Sequence, residues 1–165
     1  MKKTNLKEDL VINQILVAVD GSSFSFRAAR LGARILCPNE SGILIFLYVA
    51  KPQADLEWFQ GHGSNLDQAP EEERQALETA FKKGQEILME AQAGCQDLMK
   101  KGPIKWETVV VPGEPAEKII ENAEKRQCDL IVMGRRGVGR IKGALLGSVS
   151  QKVLSQSRLP VLIVK

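Results

Sequence analysis

Histidine is nearly absent and cysteine is sparse: His62 stands alone between two glycines, and Cys37, Cys95 and Cys128 are odd in number and far apart. A metal centre or a nucleophile assisted by histidine has almost nothing to work with. The cysteine spacing disfavours both a disulfide framework and a Cys-x-x-Cys metal site, which leaves small core residues as the plainer reading. No apolar run approaches the ~18 to 20 residues of a membrane span. Lys2 and Lys3 are followed by no apolar stretch of the kind a cleaved signal peptide carries, so a cytoplasmic location is expected. Aromatic residues make up 5% of the chain and none follows Trp106. The basic C-terminal third therefore lacks the stacking platforms of single-strand binders, which argues against nucleic acid as a partner.

The most local absence is of negative charge. From Arg135 to Lys165 there are seven Lys or Arg residues and no carboxylate. The whole chain is +3, so residues 1–134 hold 16 cations against 20 carboxylates and the positive field is confined to one stretch. At 165 residues, 44% hydrophobic and 26% charged, the chain reads as one soluble globular domain spanning 1–165.

Five apolar runs read as buried strands: Ile15–Val19, Ile43–Val49, Trp106–Val111, Cys128–Met133 and Pro160–Val164. Helical patterns fall between them. Asp20-Gly21-Ser22-Ser23 is a turn and cap before a helix over about Ser25–Leu36. Apolar positions from Leu77 to Leu98 recur at steps of four and three, which predicts a long amphipathic helix over 71–100, packed on the chain's own sheet rather than on a coiled-coil partner. Pro115 opens a helix to about Lys125, and a last helix is expected over about Gly143–Ser155. Ala50–Pro70, with Trp58 and Phe59, reads as a long loop, either a lid or a surface excursion. Alternation of this kind specifies an α/β fold, Rossmann-like, with a five-stranded mostly parallel sheet flanked by helices on both faces. Ligands of such sheets sit at the rim where the strand order reverses, which places Asp20, Val49 and Gly134 at the candidate site.

Directly after Leu130-Ile-Val-Met133 comes the glycine ladder Gly134-Arg-Arg-Gly137-Val-Gly139-Arg-Ile-Lys-Gly143-Ala-Leu-Leu-Gly147-Ser148. A strand that runs into a glycine-rich, cation-rich turn and then opens a helix is suited to holding phosphate, because glycine lets backbone N–H groups approach an anion and the helix start adds positive potential. A Walker loop is excluded, since Arg140-Ile141 stands where Lys and Ser or Thr are needed. A dinucleotide fingerprint fails too, with Gly143 one residue late and no later Asp or Glu to hold a ribose.

The pattern Gly-x2-Gly-x9-Gly-Ser is met by Gly134, Gly137, Gly147 and Ser148 without a gap. In this the chain resembles the universal stress proteins, specifically their ATP-binding branch. Ile15–Ser22, Leu47–Val49, Val111–Pro115 and Leu159–Val164 resemble the family's first strand and turn, second strand, third-helix start and closing strand. The resemblance implies the family's adenine nucleotide alpha-hydrolase-like fold and a bound adenine nucleotide: ATP, with ADP and AMP open, and magnesium entering through the phosphates. It implies Asp20 near ribose or base, the Val49 backbone at the adenine edge, Met133, Gly134 and Gly137 beneath ribose and phosphates, and Gly147, Ser148 and Val149 offering backbone N–H groups.

Of Arg135, Arg136, Arg140 and Lys142, one or two are expected on phosphate. Ser150 is open between a hydroxyl contributor and an exposed helix residue. Asp20 is open between ligand contact and turn cap. The resemblance further implies a homodimer through Val161–Val164. With no second carboxylate beyond Asp20 on the rim and no histidine nearby in sequence, a regulatory nucleotide-binding role is expected, the alternative being a weak ATPase or autokinase with Ser148 or Ser150 as acceptor.

Overall fold

The structure is a computed structural model that describes residues 11–36, 42–51, 71–99, 104–137 and 146–165. The elements are β1 (Gln14–Ala18), α1 (Ser23–Leu36), β2 (Ile43–Ala50), α2 (Glu71–Ala93), the short α3 (Gln96–Met99), β3 (Lys105–Pro112), α4 (Pro115–Lys125), β4 (Leu130–Gly134), α5 (Ser148–Gln156) and β5 (Val161–Val164). Residues 52–70 of the expected loop, with Cys37, His62, Arg140, Lys142 and Gly143, lie outside the described residues.

The five strands form one sheet in the order β3-β2-β1-β4-β5, and every neighbouring pair is parallel. From β1 the chain steps outward to β2 and β3, then crosses back to β4 and steps outward again to β5. Because such crossovers are right-handed, the outward steps in opposite directions put α1 and α2 on one face and α4 and α5 on the other. Side-chain alternation in the strands feeds both faces. Ile15, Val17, Leu44, Phe46 and Val132 pack with Ala28, Ala33, Leu88 and Ala91, whereas Leu16, Ile45, Leu47, Ile131 and Met133 pack with Ala116, Ile119 and Val153. The strand order reverses between β1 and β4, so the C-terminal ends of those strands open a crevice there.

Several boundaries differ from the sequence reading, three of them for a visible reason. The long helix stops at Ala93: the Arg30 guanidinium takes the Gly94 carbonyl together with Asp97, and the Leu98 amide turns to Cys95 O at 3.0 Å. β4 begins at Leu130 because Gln127 adopts a φ of 54°, sending the Cys128 amide back to Ala123 O at 2.9 Å. α5 begins at Ser148, since Gly147 is extended (φ −72°, ψ 156°) and acts as the N-cap. α2 packs on the chain's own sheet, as the apolar stripe implies.

Candidate functional site

At the switch point lies a cavity of about 470 Å³, walled by the ends of β1, β2 and β4 and by the start of α5. A volume of this order suits a ligand of nucleotide size. Asp20, Val49, Met133, Gly134, Gly137, Gly147, Ser148, Val149 and Ser150 all line it. Among the described residues the structure thus brings together every sequence-predicted site residue except Arg135, while Arg140 and Lys142 lie outside them.

The turn after β1 needs its glycine. Gly21 takes φ +85°, where a side chain is strained, and the turn is closed by the Ser22 amide donating to Asp20 Oδ1 at 3.0 Å. Ser25 is buried and its hydroxyl accepts from the Asp20 amide at 3.3 Å. Asp20 is therefore both a turn residue and a wall of the cavity.

The turn after β4 is held from both sides. Its Gly134 presses against the start of α1: a Cβ there would lie 2.7 Å from Phe24 Cβ and 2.9 Å from the Ser25 amide nitrogen. The Gly134 carbonyl accepts from the buried Ser150 hydroxyl at 2.9 Å, and the Ser22 hydroxyl donates to Arg136 O at 3.3 Å. The Arg135 amide donates to Val164 O, and Arg135 O accepts from the Gly147 amide, both at 2.8 Å. Gly137 packs so close to Asp20 that an added Cβ would stand 2.3 Å from Oδ2.

These contacts bear on three readings. Arg135 does not point into the cavity; its guanidinium lies 5.0 Å from the centroid of the Phe24 ring, which also carries Arg27 at 4.9 Å. The Gly147 N–H is taken by Arg135 O and is not offered to a ligand. Ser150 is not an exposed helix residue: its hydroxyl is buried and engaged with Gly134.

What remains available is main-chain. Ser148, Val149 and Ser150 occupy the first turn of α5, where amides have no intrahelical acceptor, and no side chain caps the helix. No acidic residue sits in that turn. The Gly137 amide makes no hydrogen bond to a described residue. The cavity thus ends in a set of N–H donors reinforced by a helix start, an arrangement that favours an anion.

Three wall residues carried no sequence signal: Tyr48, Lys51 and Lys83. Arg136, one of the cations expected on phosphate, also lines the cavity. Burial pushes the Tyr48 phenol up, with the Asp20 carboxylate adding to it. Lys51 Nζ is paired with Glu114 Oε1 at 2.8 Å. Arg136 was one of four interchangeable cations in sequence, and Lys83 lies on α2, far along the chain from the glycine ladder.

The family model described as the universal stress protein family matches residues 12–165. The chain belongs to that family. It is 33% identical over 156 residues to the universal stress protein YxiE of Bacillus subtilis, an alignment that covers 94% of this chain and 100% of the relative. Among solved structures, protein MJ0577 of Methanocaldococcus jannaschii superposes with a TM-score of 0.75 at 24% identity, covering 94% of this chain and 97% of that one, which bears out the fold. A universal stress protein solved in complex with cAMP superposes with a TM-score of 0.61 at 26% identity, covering 93% and 96% of the two chains. Among the described residues no helix is long and apolar enough to cross a membrane.

Proposed function

We propose that this universal stress protein binds an adenine nucleotide in the cavity at the switch point, with ATP as the working ligand, and acts as a regulator rather than a catalyst. The observation that carries the reading is the convergence on one cavity of Gly137 and the first turn of α5, with the Asp20 carboxylate beside Gly137 on the same wall. Main-chain N–H donors suit phosphate, whereas a carboxylate suits ribose hydroxyls or a base amine. The complex of a related protein with cAMP supports an adenine nucleotide as the ligand class. Met133 and Val49 would flank the base with apolar surface, the Val49 backbone meeting its edge.

Magnesium would be carried by the phosphates. Asp20 is the single carboxylate among the lining residues, and the described residues hold no group of three His, Cys, Asp or Glu that could grip an ion by themselves. In-line phosphoryl transfer also asks for a positioned base. Ser148 is the more accessible acceptor in the enzyme alternative, because Ser150 is buried on Gly134. Bound nucleotide would stabilise one arrangement of the glycine turn, which β5 touches through the Arg135–Val164 hydrogen bond. That contact offers a route from ligand to β5, a sheet-edge strand of four half-buried apolar residues suited to a two-fold dimer.

Calorimetric titration with ATP, ADP, AMP and GTP, with and without magnesium, tests the reading. Adenine nucleotides are expected to bind and GTP to bind at least tenfold more weakly, on the order of one lost base contact. Absence of heat for all four would overturn it. Release of ADP above the no-protein rate, abolished by Ser148→Ala, would favour the enzyme alternative.

A further inference from the structure

Lys83 has no role in the reading above, yet it lines the cavity from the face of the sheet opposite α5. Its position is fixed by packing on either side of it. The buried Gly84 lets α2 close onto β2 and β3, for a Cβ there would lie 2.5 Å from Tyr48 Cδ1 and 3.1 Å from Val110 Cγ1. Four residues on from Lys83, Ile87 Cδ1 would lie 3.1 Å from a Cβ at Gly21, so this helix stripe rests on the Asp20-Gly21-Ser22 turn. Lys83 stands four residues further out, about 6 Å along the axis, and so overhangs that turn at the mouth.

The charges on the wall differ in placement. Lys51 is paired with Glu114, Arg136 belongs to the glycine turn itself, and Asp20 is the only carboxylate that lines the cavity. Lys83 forms no ion pair with a described residue. The Asp20–Ser22 turn touches the glycine turn through the Ser22 hydroxyl and Arg136 O, so a cation above the first turn is also near the start of the second. An anion longer than one phosphate, seated on the α5 amides, would extend toward that cation.

We infer that Lys83 is a specificity-determining residue: it takes the outer phosphates of a nucleoside di- or triphosphate from the α2 side, facing the amides of the glycine turn and of α5. This rests on the nucleotide reading of the cavity and names which nucleotides the site prefers. A charge-assisted contact to a terminal phosphate is made by ADP and ATP and missed by AMP and adenosine.

The test is calorimetry of the full chain with ATP, ADP, AMP and adenosine, comparing wild type, Lys83→Gln, Lys83→Arg and, as a control, Lys82→Gln. Lys83→Gln is expected to weaken ATP about tenfold and to leave adenosine and AMP within about twofold, whereas Lys83→Arg keeps most of the ATP affinity. Lys82, exposed and outside the cavity wall, is expected to matter for none of the ligands. Unchanged ATP affinity in Lys83→Gln, or an equal loss for ATP and adenosine, overturns the inference while leaving the nucleotide reading standing. Failure of wild type to bind any of the four overturns both.

Discussion

Gly134 and Gly147 belong to one motif but answer to different demands. At Gly134 a Cβ would collide with the backbone of α1, so Gly134→Ala should displace the helix start and cost about 1–3 kcal/mol in urea unfolding. At Gly147 the backbone is extended and a Cβ would make ordinary contacts, the nearest being Arg136 Cα at 3.4 Å. Gly147→Ala should therefore leave stability within about 0.5 kcal/mol of wild type. The same Cβ would lie 3.7 Å from the Gly137 amide nitrogen, over a donor that the phosphates need, so ATP affinity should fall about tenfold. Paired unfolding and binding curves for the two variants check this separation. The spacing of the glycines is visible in sequence, but which one serves the fold is not, because that depends on where Phe24 arrives from 110 residues away. Side-chain direction is equally hidden: nothing in Arg135-Arg136 says that the first stacks on a ring and the second lines the cavity.

Among elements, the start of α1 is what holds the anion turn in place. Its Phe24 backbone packs on Gly134, its ring carries Arg135, and Ser22 just before it binds Arg136 O. Phe24→Leu keeps apolar bulk and removes the ring face, a contact worth about 0.5–2 kcal/mol. ATP affinity should fall several-fold on the order of that energy, with adenosine unaffected and with rescue by Phe24→Tyr; equal losses for ATP and adenosine would show that Phe24 only fills space. Strands were legible as elements because a parallel sheet covered on both faces demands continuous apolar runs. Helix ends were less so. The apolar stripe continues through Cys95 and Leu98, which are indeed buried, but the backbone between them is broken by Arg30 reaching across from α1. Likewise Gly147 is extended rather than helical, its amide held by Arg135 O in the turn after β4.

At the scale of the molecule, the two buried cysteines set the alkaline limit. Burial pushes the thiols of Cys95 and Cys128 from 9.0 up to about 11. Below pH 9 they are protonated whether the chain is folded or not, so they cost nothing. As the pH climbs from 9 to 11 the unfolded chain releases these protons while the folded one retains them, and stability falls. The urea midpoint should drop across that window, and Cys95→Ala with Cys128→Ala should flatten the drop. Sedimentation at micromolar concentration checks the proposed dimer through β5, where a monomer alone would contradict the proposal. The parallel five-stranded sheet followed from the order of apolar runs, and the rim site from Asp20, Val49 and Gly134 at the strand ends, whereas the strand order β3-β2-β1-β4-β5 was not legible. Nor was the α2 wall, because Tyr48, Gly84 and Lys83 meet only once the chain has folded.

The central claim is that main-chain amides at the start of α5 and at Gly137 receive the nucleotide's phosphates. Titration of ¹⁵N-labelled protein with ATP, followed by amide resonances, addresses those atoms directly. Saturable shifts are expected to be largest at Gly137, Ser148, Val149 and Ser150, with smaller ones at Asp20 and Val49. Saturable shifts confined to other surfaces, with these four amides unmoved at millimolar ATP, would contradict it.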